Sequence, residues 1–510
     1  MMNLFNKALI FLVACVLFAA CEDNLVKINQ NPNAPTDIQA EFLLPSTIKG
    51  VADLIYAPAV NLNIGTHLTQ GTTETYTPSY DRYEFQAFLG GSGNLWPEFY
   101  KILENLRIIK EAAIVDGNPN KEAVATILMV WNYQLMTDLW GDIPYSEALK
   151  GQSEEENLTP KYDTQEAIYT DLIEELNSAV DKINTNEDSF GSSDIIYSGD
   201  MIKWLKFGNS LKLRLYMRLA EVNPTVASEG ISDTYNNGSG ILIASNSENA
   251  EFHYGPFPNN NPINDELRNR DDYRMSRTLI DALKAFNDPR LRIYAVPTEN
   301  NDDYQGAPNG LPDAHNFQIA DLSQLGAYFE SPTAPAFFMR YSEVQFILAE
   351  AAVRNWIQAD AETLYNEAIR ASMESFNDGR ITPVLEALEG TRAYEFQKLD
   401  AGEFPSGITD IEINQYLSQA VVQFDQSRWR EQIGYQKWIA LFGEGLQRWI
   451  SWKRIGFPNL EAPELAGYDI VPIRLPYPTI ERSLNEVNYE EAVSRQGPDD
   501  IITPVWWDVN

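Results

Sequence analysis

Apolar residues recur three and four positions apart in segment after segment of this chain. That period admits helices packed on helices and leaves little room for a sheet. Between Trp96 and Ala113 the stripe is Phe99, Ile102, Leu103, Leu106 and Ile109, with Pro97 suited to a first helical turn. Lys121–Leu139 is apolar on most sides, which predicts a helix buried all round. Asp163 is placed to cap the next helix with Glu166 in a capping box, followed by Ile168, Leu172, Ile173, Leu176 and Val180. Further helices are expected over Met201–Val222, Ser276–Phe286, Ser342–Arg354, Ala361–Phe376 and Gly434–Ile450. The intervals 65–95, 223–275, 296–335 and 455–510 are rich in Gly, Pro, Asn, Asp and aromatic residues and lack a helical period. Long irregular stretches of this kind are functional or disordered, and their rings argue for order. The expected fold is mostly α, a scaffold of helix pairs with long irregular loops and few short strands. The pairs suggest a solenoid-like array, although no clean 34-residue repeat is present.

The N-terminus asks for a different explanation. Ala8 to Ala20 is thirteen apolar residues ending at Cys21, short of the ~20 that span a bilayer as a helix. Residues 1–20 therefore read as a signal peptide. Phe18-Ala19-Ala20-Cys21 reads as a lipobox and makes Cys21 the lipidation site, preferred over Cys15, whose choice would leave a very short apolar core. No cysteine follows position 21, so no disulfide staples the mature body. Residues 21–36, with Asn31-Pro32-Asn33 and Pro35, read as a polar tether, and 37–510 as one domain. Seventy-three acidic residues against 38 basic ones give a net charge of −35. Such a chain repels phosphate backbones, so nucleic acid is excluded as a partner.

Several stretches resemble the SusD/RagB family, in order along nearly the whole mature chain. Trp131-Asn132-Tyr133-Gln134-Leu135-Met136-Thr137-Asp138-Leu139-Trp140-Gly141-Asp142-Ile143-Pro144-Tyr145 is similar to a family helix and its turn. Lys203-Trp204-Leu205-Lys206-Phe207-Gly208-Asn209-Ser210-Leu211 and Asp288-Pro289-Arg290-Leu291 follow. Next come Met339-Arg340-Tyr341-Ser342-Glu343 through Glu350-Ala351, then Pro472-Ile473-Arg474-Leu475-Pro476 and the closing Trp506-Trp507-Asp508. The resemblance implies four tetratricopeptide-like helix pairs beneath a loop-rich face. It implies a surface lipoprotein of the outer membrane, anchored by its lipid, that binds glycan nutrients and passes them to a SusC-like TonB-dependent transporter. Glu22-Asp23 after the cysteine is similar to a surface-export signal of Bacteroidetes lipoproteins.

For the motifs themselves the architectural reading is preferred. Gly141 and Pro144 stop a helix, Glu343 and Glu350 pair with arginines between helices, and Trp506-Trp507 seals the core. Three scattered histidines, no Cys pair, no nucleophile elbow and no phosphate loop argue against a metal, a cofactor or an enzyme. Gly90-Gly91-Ser92-Gly93 reads as a flexible loop, and Asn301-Asp302-Asp303 as a solvated acidic loop rather than a Ca²⁺ site. A sugar offers a flat C–H face and a hydroxyl edge, so its site needs exposed rings beside polar groups. Three loops have that composition: Tyr76, Tyr80, Asp81, Arg82 and Tyr83; Phe257 with Asn260; and Tyr304 with Phe317. The alternatives are a surface glycoside hydrolase and a helical-repeat adaptor without a ligand.

Overall fold

The computed structural model describes residues 39–76, 78–151, 157–237, 241–267, 272–300, 303–313, 315–388 and 404–509. Signal peptide, tether and Cys21 lie outside them, as do Thr77, Asn301 and Asp302.

The principal helices are α1 (Ala40–Tyr56), α2 (Phe85–Val115), α3 (Pro119–Trp140), α4 (Gln165–Lys182), α5 (Met201–Arg218), α6 (Pro224–Asn236) and α7 (Arg277–Ala285). They continue with α8 (Tyr341–Val353), α9 (Ala361–Glu374), α10 (Asp410–Leu417), α11 (Trp429–Ala440), α12 (Gly445–Ile455) and α13 (Glu486–Gln496). Sequence neighbours pack as pairs, α2 on α3, α4 on α5, α8 on α9 and α11 on α12, and α8 bridges α5 to α11. Strands are brief: β1 (Thr72–Glu74), β2 (Ile143–Pro144), β3 (Tyr162–Asp163), β4 (Ala250–Phe252), β5 (Tyr273–Met275) and β6 (Ala336–Met339). They pair antiparallel as β1–β5, β2–β3 and β4–β6. The mostly α fold is as expected. Among the described residues no helix is long and apolar enough to cross a membrane.

Local chemistry fixes the helix ends. Asn118 caps α3 by accepting the Lys121 N–H, and Pro119 occupies its first turn. At the other end Gly141 sits at φ +83°, where a Cβ would overlap the Gln496 side chain. Asp200 caps α5 by accepting from the N–H groups of Ile202 and Lys203.

The helix faces meet in one continuous core that holds several charged pairs. Arg214 of α5 meets Glu343 of α8 at 2.6 Å, and Arg454 of α12 clasps Glu350 of α8. Burial would raise the Glu350 carboxyl, but Arg454 and Arg354 outweigh it and hold the group down at about 2. Trp507 is fully buried and donates its indole N–H to Asp138 Oδ1 at 2.7 Å, so the C-terminal pair does seal the core through this residue.

Several boundaries differ from the sequence reading. Helix α2 begins at Phe85, so Gly90-Gly91-Ser92-Gly93 is helical and Pro97 lies inside the helix. Proline at 97 removes a single N–H, and at Gly91 a Cβ would come within 3.2 Å of Ile64 and the Tyr80 hydroxyl. Thr164, not Asp163, caps α4. The Asp163 carboxylate instead accepts from Ser146 N and Oγ across the β2–β3 pair. The helix expected over Gly434–Ile450 is two, α11 and α12, broken at Gly443 with φ +90°. Gly445 then crosses the short helix at Asn61–Thr66 so closely that a Cβ would overlap the Asn61 carbonyl. α6 and α13 fall in stretches read as irregular, because short amphipathic helices between Pro and Gly leave a weak period.

Candidate functional site

The loop after β1 is built on the β1–β5 pair, where Thr72 lies opposite Met275 and Glu74 opposite Tyr273. Thr72 and Thr73 are β-branched and suit a short strand. The chain then turns back through Asp81, which is 1% exposed. Its Oδ2 accepts from Thr73 Oγ1 at 2.5 Å and from Glu74 N at 2.9 Å, and its Oδ1 accepts from Asn309 Nδ2 at 3.0 Å. Asn309 also donates to the Thr72 carbonyl at 2.9 Å and accepts from Ser276 Oγ at 2.5 Å. Asp81 and Asn309 thus clamp the 75–83 loop, the β1–β5 pair and the 303–317 loop into one unit. Gly310 follows at φ +70°, and a Cβ there would lie 2.5 Å from Pro463, so this turn requires glycine.

Two more contacts tie the loops at their outer edge. Arg82 meets Asp313 at 2.8 Å and Glu84 at 3.3 Å. His315 Nε2 lies 2.9 Å from the Thr75 carbonyl and must carry the hydrogen there, since a carbonyl only accepts. Phe317 is half-buried against Ala307, Leu311 and Leu322, with its ring 5.9 Å from that of His315. Tyr76 projects into solvent, 77% exposed. The exposed Tyr76 thus follows the residue bonded to His315, on loops that also carry a charged pair, the half-buried Phe317 and the exposed Asn316. Such a surface can stack a flat apolar face and bind a hydroxyl edge.

Not every residue expected here is accessible. Tyr83 is 1% exposed at φ +55°, and burial followed by the charge of Asp81 pushes its hydroxyl upward. Asp81 and Tyr83 are therefore architectural, Tyr83 packing into the main core and Asp81 bonding across the loops. Tyr80 is half-buried, packed edge-on against Phe88 at 5.3 Å. Asn260 is also buried, donating to Asn264 Oδ1 at 3.2 Å, which corrects its expected role. Phe257 is 68% exposed, but its turn is held elsewhere, where Asn261 reaches Pro332 and Ala334. Tyr304 is half-buried against the main core. First and third loops are therefore brought together, and the second stands apart. Asp303 is exposed and paired with Lys284 at 2.9 Å. Among the described residues no cluster of three His, Cys, Asp or Glu is placed to hold a metal.

Sequence reasoning missed Asn309 and Asp313, which organise the site. The Asn309-Gly310 dipeptide is a turn signal, and it marks where a loop must fold back on another.

Residues 32–478 match the SusD-like family model described as starch-binding associating with outer membrane. No curated protein matches the chain. Among solved structures, a chitin-binding protein is 28% identical at TM-score 0.77, covering 92% of this chain and 100% of its own. A SusD homologue from Bacteroides uniformis is 26% identical at TM-score 0.72, with 92% and 100% covered. A chitin-binding SusD homologue from Flavobacterium johnsoniae is 24% identical at TM-score 0.72, covers 92% and 99%, and speaks for the fold alone. With its helix pairs, its loop-clamped face and a family match over most of its length, the chain belongs to the SusD/RagB family, in the SusD-like branch.

Proposed function

We propose that this protein is a nutrient-capturing lipoprotein of the outer-membrane surface that holds a neutral oligosaccharide on the clamped loops and passes it, unaltered, to a SusC-like TonB-dependent transporter. The observation that carries this reading is the exposed Tyr76 on a loop that the buried Asp81 and the Arg82–Asp313 pair tie to the loop bearing Phe317. A pre-ordered site loses less entropy on binding. The family description and the chitin-binding relative support a glycan as the ligand class. Lipid on Cys21 would hold so acidic a body at a membrane that its charge otherwise avoids.

Binding without turnover is favoured by what the site's carboxylates already do. Glycoside hydrolysis needs one carboxyl to deliver a proton and a second to act opposite it. Asp81 accepts from three donors and is buried, and Asp313 is paired with Arg82. Neither is presented as a proton donor.

The test is incubation of the protein with soluble chitin, starch and cellulose oligosaccharides, with binding followed by calorimetry and chain length by chromatography. Saturable binding with unchanged chain length is expected. New reducing ends would establish the hydrolase instead, and no binding to any glycan would favour the adaptor.

A further inference from the structure

A second cleft, of about 370 Å³, opens between α7 and α11. That volume lies within the ~300–1,000 Å³ typical of small-molecule sites. Thr278, Asp281, Ala282 and Ala285 recur at helical spacing along one face of α7, and Glu431, Gln432 and Tyr435 along one face of α11. Two rings form the wall: Phe286 meets Tyr435 edge-on at 5.9 Å. Two more, the buried Tyr365 and Trp438, form the floor.

Three polar side chains at the bottom already have partners. Trp438 Nε1 donates to the Thr69 carbonyl at 2.9 Å, Gln432 Nε2 to the Gln423 carbonyl at 2.8 Å, and Gln436 Nε2 to the Tyr416 hydroxyl at 2.8 Å. At the mouth stand the exposed Asp281 and Asn459, and Arg428 is paired with Glu431 at 2.9 Å. An anionic occupant would gain little here. Among the described residues that line the cleft the one cation, Arg428, is neutralised by Glu431, and an anion is repelled by Asp281 and by the net charge of −35. A ring with an apolar face and a hydroxyl edge gains from both the aromatic wall and the rim.

We infer that this cleft is a second saccharide site, for a short neutral oligosaccharide, separate from the clamped loops. It begins one turn from the clamp, since Ser276, bonded to Asn309, immediately precedes α7. From there α7 runs about 13 Å at 1.5 Å per residue.

The experiment is hydrogen exchange on the full mature chain with saturating chitotriose, cellotriose or maltotriose. At least one trisaccharide is expected to slow exchange in residues 277–286 and 429–438, and to do so equally in Tyr76→Ala protein. Tyr435→Ala should weaken that protection's midpoint about tenfold, the loss of one ring contact, while Tyr435→Phe retains it. Asp281→Ala, a change at an exposed position, should weaken it severalfold and guards against a folding defect at Tyr435. Unchanged exchange in both helices with all three sugars overturns the inference. So does protection that disappears in Tyr76→Ala but survives Tyr435→Ala and Asp281→Ala. Protection of 72–83 and 305–317 alone would leave the loop site standing while removing this one.

Discussion

Asp81→Ala is the substitution that most directly probes how the site is held. The carboxylate accepts from Thr73 Oγ1, Glu74 N and Asn309 Nδ2 at 2.5, 2.9 and 3.0 Å, with Asp81 1% exposed. Thr73 keeps a weaker acceptor in the Pro308 carbonyl at 3.3 Å, and Asn309 keeps the Thr72 carbonyl at 2.9 Å. The uncompensated loss is thus close to one charge-assisted hydrogen bond, plus part of two others. A bond of that kind contributes about 1.5–3 kcal/mol, so the clamp should loosen by about 2–3 kcal/mol. At 1.4 kcal/mol per factor of ten, opening becomes about 30- to 150-fold more frequent. Amide exchange should accelerate by that factor in 72–84 and 305–317, while α2, α3 and α8 keep their rates. Asp81→Asn, which keeps one acceptor oxygen, should fall between. Unaltered exchange in both loops would refute the clamp, and acceleration throughout the helices would show that Asp81 supports the whole fold instead.

Other expectations follow from the same geometry. Tyr76→Ala removes an exposed ring, so oligosaccharide affinity should fall about tenfold in calorimetry with the melting temperature unchanged. Glu350 is held down to about 2 against an ordinary 4.5, so its contribution is present above pH 4.5 and lost as pH falls through about 2. That contribution is about 3 kcal/mol, and Glu350→Gln should flatten the acid limb of the stability curve measured by urea unfolding between those values. Gly445→Ala forces a methyl onto the Asn61 carbonyl and should lower stability by about 2 kcal/mol or more, read as a drop in the thermal midpoint. Cys21→Ser should move the protein from the membrane fraction to the soluble one, and retention in the membrane would reject the proposed anchor.

The helical scaffold was legible because its period is strong. The stripe from Phe99 to Ile109 and the apolar Lys121–Leu139 segment are buried where the spacing places them. The Glu343 and Glu350 pairs were legible for a similar reason: two carboxylates on a buried face must meet cations. Helix ends were harder. Pro97 marks a first turn by local chemistry, yet packing of Phe88 and Leu95 carries α2 back through four small residues to Phe85. The break between α11 and α12 has a local mark in Gly443 and Gly445, but the need for glycine at 445 comes from a crossing with Asn61–Thr66, nearly 400 residues away.

In the candidate site, composition picked out two loops that fold against each other but did not sort their side chains. Tyr76 and Tyr83 are both aromatic residues in a polar loop, but one is 77% exposed and the other 1%. The difference is set by the left-handed backbone at Tyr83 and by Asn309 reaching across from the 303–317 loop. A partner that distant is invisible until the chain is folded.

The account rests on a glycan held by the loops and released intact. Calorimetric titration of wild-type and Tyr76→Ala/Phe317→Ala protein with one oligosaccharide series, followed by chromatography of the recovered sugar, tests it most directly. The prediction is saturable binding in the wild type, weakening of about a hundredfold in the double variant from two ring contacts, and sugar recovered at its original length. Equal affinity in both proteins, or shortened sugar from either, would contradict it.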